Sequence, residues 1–161
     1  MKLEELYDRY GEKLFHYLTI KLGSRSDAED VLQDIFLRFS KYSISWRVIR
    51  NVEAFVFRIA RNEANRFLRH RLSQNPASRS SPDFAKVISA EISGPDEQTK
   101  NVLSNALARL PDEQREIIVL KIFEDLTFKE IASICDLSIN TVSSRYRYGI
   151  AKLHSFLEGK I

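Results

Sequence analysis

Along most of this chain apolar residues recur every three or four positions, and the interruptions fall at glycine, proline or short polar runs. That is the pattern of successive amphipathic helices. Leu3, Leu6, Tyr7, Tyr10, Leu14, Tyr17 and Leu18 share one face of a first helix, or of a helix pair loosened near Gly11, and Gly23 closes it. Ser26-Asp27-Ala28-Glu29 has the form of a capping box, with Ser26 as cap and Glu29 reaching back. Val31, Leu32, Ile35, Phe36 and Phe39 then mark the buried stripe of a second helix that ends near Lys41. Residues 42–51 have no clean period and read as a loop. A third helix, Val52 to Leu72, turns Val56, Ile59, Ala60 and Phe67 inward, while Arg58, Asn62, Asn65 and Arg69 line a polar face flanked by Arg61 and Arg66.

The polar run from Ser73 to Phe84 has the composition of a linker. A weak helical pattern at 85–92 breaks at Gly94-Pro95, and Val102, Leu103, Ala106, Leu107 and Leu110 form the stripe of the next helix, which Pro111 ends. Ile117, Ile118, Leu120 and Ile122 supply the inner side of its successor. Thr127-Phe128-Lys129-Glu130 is a second capping box. It opens two short helices whose joint, Cys135-Asp136-Leu137, is so brief that they must cross steeply. Ala132 is small where the crossing is close, Asp136 tolerates a left-handed turn, Leu137 plugs the core and Ser138 caps the last helix. In that helix Ile139, Val142, Tyr146, Ile150 and Leu153 face inward, leaving Asn140, Thr141, Ser143, Ser144, Arg145, Arg147 and Tyr148 outside. The pattern is a helix-turn-helix, which presents its second helix to the major groove. The expected fold is all-α: two small helical domains, 1–72 and 96–161, joined by a flexible linker over 73–95.

Composition narrows the function. At 43% hydrophobic and 29% charged the 161 residues suit a helix-rich globular protein. Charges interrupt the apolar start and no run of about 18 apolar residues occurs, so no signal peptide or membrane span is expected and the location should be cytoplasmic. Cys135 has no disulfide partner in the chain, and His16, His70 and His154 are too scattered for a metal site. No paired carboxylates at metal spacing, glycine-rich phosphate loop or Ser/Cys/His set is present, so neither an enzyme nor a cofactor is expected. The net charge of +3 is unevenly spread: Asp27, Glu29, Asp30 and Asp34 precede Arg47, Arg50, Arg58, Arg61, Arg66, Arg69 and Arg71. A polyanion partner fits the basic segment.

Two distant segments carry a resemblance. DAEDVLQDIFLRF with NVEAFVFRIARNEANRFLRHR, and LPDEQREIIVLKIFEDLTFKEIASICDLSINTVSSRYRYGIAKL, resemble regions 2 and 4 of the extracytoplasmic-function sigma factors of bacterial RNA polymerase. The resemblance implies that the first unit docks on the polymerase core through Asp30, Gln33 and Asp34 and opens the promoter -10 element. Arg58, Arg61, Asn62, Asn65 and Arg69 would lie along that DNA, with Trp46 either stacking on an unstacked base or serving the core. The second unit would read the -35 duplex through Asn140, Thr141, Ser144, Arg145 and Arg147. RNA polymerase core and promoter DNA are the implied partners, with room for an anti-sigma factor holding the two units together. The rival reading is a stand-alone helix-turn-helix regulator with a dimerising or sensing N-terminal domain, which leaves the Arg58 to Arg69 face unexplained.

Overall fold

The computed structural model describes residues 1–42, 44–75 and 84–160, and every regular element among them is helical. Helix α1 spans Leu3–Leu22 without a break at Gly11, which is buried in it. Gly23, at φ 70°, turns the chain in the left-handed conformation that glycine adopts at least cost. This turn corrects the expected cap of the next helix. Ser24 emerges extended, its hydroxyl accepts from the Asp27 amide, and α2 runs Arg25–Lys41, so Ser26 lies inside the first turn instead of at its cap. Asn51 caps α3, Val52–Gln74, in the same way, through the Ala54 amide. The first unit closes on Leu6, Leu14, Tyr17, Leu18, Ile35, Val56, Phe57 and Ala60, all 1% exposed or less. Tyr17 meets the Phe57 ring edge-on at 5.6 Å.

Within the stretch expected to be linker, residues 76–83 lie outside the described residues, but Phe84–Glu91 form helix α4. The weak helical pattern read at 85–92 is realised here: Ile88 and Ile92, 1% and 5% exposed, give this segment an apolar stripe, and α4 packs on α1 and on the following helix. Helix α5, Glu97–Arg109, begins at Asp96, whose carboxylate accepts the Thr99 amide at 2.7 Å. Its last carbonyls are held by Arg115, a buried guanidinium that donates to Leu107 O, Ala108 O and Leu110 O at 3.4, 3.3 and 2.9 Å and pairs with Asp112. Orphaned C-terminal carbonyls would otherwise be left in the core.

Helix α6, Asp112–Ile118, passes into a π-helical turn, Val119–Phe123. The wider i→i+5 turn alters the register of the expected stripe. Ile117, Ile118 and Leu120 stay buried, but Ile122 swings out to 51% exposure. Helix α7, Phe128–Cys135, starts at the Thr127 capping box, with both reciprocal bonds made. Asp136 takes the left-handed conformation at φ 55°, and the Leu137 amide reaches back to the Ala132 carbonyl at 3.0 Å. Helix α8, Ile139–Leu157, is capped by Ser138. Ile139, expected inside, is half exposed, since it sits in the first turn before α8 reaches α7; Val142 and Leu153 carry the buried stripe. Gly149 lets α8 approach α6, for a Cβ there would stand 2.7 Å from Ile118 Cδ1.

The second unit packs onto the first, α7 against α3 and α4 against α1. Four carboxylates of the second unit, Glu91, Glu116, Glu124 and Glu130, reach across.

Candidate functional site

The residues singled out in the sequence fall on three faces. On α2 the stripe of Val31, Ile35 and Phe36 is buried, which forces Asp30, Gln33 and Asp34 outward. All three are exposed, and none makes an ion pair or side-chain hydrogen bond among the described residues. Some neighbouring charges do pair internally: Arg71 grips Asp27 in two bonds, 2.5 and 3.0 Å, and Arg38 pairs with Glu63. Beside Gln33 lies a feature that sequence reading missed. A groove of about 890 Å³ runs between α1 and α2, lined by Leu3, Tyr7, Phe15, Leu32, Phe36 and Leu37. Tyr7 and Leu37 are 54% and 55% exposed. The signal was Leu37, an apolar residue off the buried stripe.

On α3 the expected polar face is only partly open. Arg58, Asn62 and Arg69 are exposed and Asn65 is half-buried, and none has an internal side-chain partner among the described residues. Arg61 differs. Its Nε donates to Glu116 Oε1 at 2.7 Å across the unit boundary, and the same oxygen accepts from the Tyr17 hydroxyl at 2.7 Å and from Lys21 Nζ at 3.3 Å. Burial pushes the Glu116 carboxyl up, but Lys21, Arg61 and the Tyr17 hydroxyl outweigh it, so the group titrates below the ordinary glutamate range. Burial also pushes the Tyr17 phenol far up, reinforced by the Glu116 charge, so it remains a donor. Trp46 is lodged half-buried between Phe39 and Phe55, edge-on at 5.5 and 5.8 Å. It packs as part of the aromatic edge of the first unit.

On α8 the buried Val142 and Gly149 set the phase that turns Asn140, Arg147 and Tyr148 to the exterior. Thr141 is half-buried, its amide bound to Ser138 Oγ at 3.1 Å. Arg147 Nη2 lies 3.4 Å from Ser144 Oγ, and Arg145 Nη2 lies 3.4 Å from a carboxylate oxygen of Glu113 on α6. Buried Cys135, below this helix, has its thiol pushed up to about 11 by burial and then by the Glu116 charge, which makes it a poor nucleophile.

These faces have the chemistry of macromolecular recognition: hydrogen-bonding amides and hydroxyls interleaved with guanidiniums on α3 and α8, and a carboxylate and amide patch beside an apolar groove on α2. Comparison with known proteins agrees with the two-part arrangement. Residues 6–73 match the family described as Sigma-70 region 2 and residues 100–153 match Sigma-70, region 4. The chain is 31% identical over 160 residues to the ECF RNA polymerase sigma factor RpoE of Cereibacter sphaeroides, covering 95% of this chain and 84% of that one. It is 26% identical over 160 residues to the RNA polymerase sigma factor SigZ of Bacillus subtilis, covering 99% and 89%. Among solved structures it resembles the sigma factor RpoE from Bartonella quintana, crystallised with the anti-sigma factor NepR, at a TM-score of 0.73 and 19% identity over 98% of both chains. That likeness supports the fold.

Proposed function

The chain belongs to the sigma-70 family, in the extracytoplasmic-function group of RNA polymerase sigma factors that direct transcription initiation, and from that premise we propose how its faces divide the work. The α2 patch of Asp30, Gln33 and Asp34, with the neighbouring groove, docks on the core enzyme. The α3 face of Arg58, Asn62, Asn65 and Arg69 lies along the -10 element, and Arg61 joins it once its bond to Glu116 across the units is broken. The outer face of α8, through Asn140, Thr141, Ser144, Arg145 and Arg147, reads the -35 duplex. The observation carrying this reading is that α2, α3 and α8 each present polar or charged side chains outward that have no internal partner among the described residues, notably Asp30 and Asp34, Arg58 and Asn62, and Asn140. The guanidiniums on α3 offset phosphate charge and donate hydrogen bonds, the amides donate to and accept from base edges, and no nucleotide hydrolysis is called for when contacts to opened bases compensate lost stacking. Trp46 stacks on a base only after leaving its Phe39 and Phe55 contacts, so its part is to support the loop above α3. An anti-sigma protein is a further partner suited to a chain whose units must separate.

The experiment is run-off transcription with purified core enzyme on fragments of the source genome, with the parent and Asp30→Arg/Asp34→Arg compared at equal concentration. The double reversal acts on exposed side chains, so helix content stays at the parent value while core affinity falls at least tenfold. Core affinity equal to the parent's rejects the α2 assignment. Absence of any core-dependent transcript from the parent rejects the reading as a whole.

A further inference from the structure

Among the contacts between the units, one is built around a titratable ring. His16 of α1 lies between two acceptors of the second unit: Nδ1 is 2.6 Å from Glu124 Oε1 and Nε2 is 2.9 Å from the Glu91 carbonyl. Glu124 is 3% exposed, at the left-handed turn completed by Asp125 at φ 54°. A neutral imidazole has one N–H and cannot donate on both sides. Both bonds therefore need one proton more than neutral imidazole and carboxylate carry together, whichever partner holds it.

We propose that His16 is a proton-operated latch between the two helical units, closed while the His16–Glu124 pair holds its extra proton and released when that proton leaves. The surroundings favour the charged form. The hydrogen bond to Glu124 raises the ring most, burial opposes it, and the Glu124 charge with the Glu91 carbonyl and carboxylate add to the rise, so His16 titrates above the ordinary histidine range. The other charged groups at this corner are Lys13 of α1 paired with Glu53 of α3 at 2.8 Å, Arg25 of α2 on the Glu91 carboxylate at 2.5 Å, and Asp125. Histidine is the side chain that ordinarily changes charge in this pH range, so His16 is the titrating member. Because its proton is bound more tightly in the closed form, the latch holds fully below the ordinary histidine value, near pH 6.5, and weakens as pH rises through the raised one.

The latch stands apart from the promoter reading, but its consequence rests on that reading. Elements centred 25 base pairs apart are separated by about 85 Å of B-DNA, at roughly 34 Å per ten base pairs. A compact chain of 161 residues has a radius of gyration of about 15 Å. The closed form cannot span both elements, so release of the latch is a step toward promoter engagement.

The test is energy transfer between labels on Ser40→Cys and Ser155→Cys in the full chain. Both positions are exposed, on α2 and α8, and buried Cys135 with its raised thiol stays unlabelled. Spectra are taken from pH 6 to 9 at a subdenaturing urea concentration that populates the open form, with circular dichroism confirming helix content. The closed-to-open ratio should fall with rising pH, by at most about tenfold per unit for one proton. His16→Gln removes the dependence and favours the open form. Glu124→Gln also removes it but stays closed to pH 9, since its amide donates to unprotonated Nδ1 while Nε2–H keeps the Glu91 carbonyl. A flat profile in the parent, or a parental profile retained by both variants, overturns the latch. Failure of promoter binding alone would count against the DNA assignment and leave this result intact.

Discussion

Glu116 is the carboxylate whose removal should cost the most, and the size of the loss follows from its partners. One oxygen accepts from Arg61 and Tyr17 at 2.7 Å each and from Lys21 at 3.3 Å, with side-chain exposures of 11% for Glu116, 21% for Arg61 and 14% for Lys21. Breaking a buried pair by deleting one partner costs about 3–5 kcal/mol, against about 0–1 for a surface pair. These groups are nearer the buried limit, so Glu116→Ala should destabilise by about 3 kcal/mol, with an Arg61–Glu116 coupling of about 2 kcal/mol in a double-mutant cycle. At a urea slope of about 2 kcal/mol per molar, the single change moves the midpoint by roughly 1.5 M. Trp46, the chain's one tryptophan, reports unfolding of the first unit through its contacts with Phe39 and Phe55, while circular dichroism reports both units. The pH dependence has a definite sign. The Glu116 carboxyl titrates below its ordinary range in the fold, so its contribution is present above the ordinary glutamate value and disappears as pH falls through the depressed one. The reasoning is refuted if the Arg61→Ala and Glu116→Ala effects add to within about 0.5 kcal/mol, the tolerance for independent sites.

Two further outcomes are expected. Arg145→Ala should lower the salt slope of duplex binding by about one if the guanidinium neutralises a phosphate, or cost about 1–3 kcal/mol at one base position if it reads an edge; titration of preferred and scrambled duplexes at several salt concentrations separates these, and parental binding on both duplexes rejects any DNA contact. Gly149→Ala places a methyl 2.7 Å from Ile118 Cδ1 and should destabilise the second unit by about 1–3 kcal/mol in urea melts, as overpacking does; an unchanged midpoint would show that Ile118 moves aside freely.

What the sequence determined by itself was local. Spacings of three and four placed the stripes of α2, α3 and α8 because helix periodicity and burial act within a few turns. The Thr127 box, the Ser138 cap and left-handed Asp136 were legible because their bonds join residues three to five apart. The order of the two segments was enough to suggest the family. Tertiary structure decided everything that depends on partners distant in the chain. Gly23 moved the α2 cap to Ser24, the π turn carried Ile122 out of its stripe, and burial of Ile88 and Ile92 secured a helix where the sequence showed only a weak helical pattern. Above all, Arg61 and His16 looked like a surface cation and an isolated histidine. Their partners, Glu116 and Glu124, stand 55 and 108 residues away. A helical period says which side of its own helix a residue occupies, but not which buried carboxylate the other unit will bring to that side.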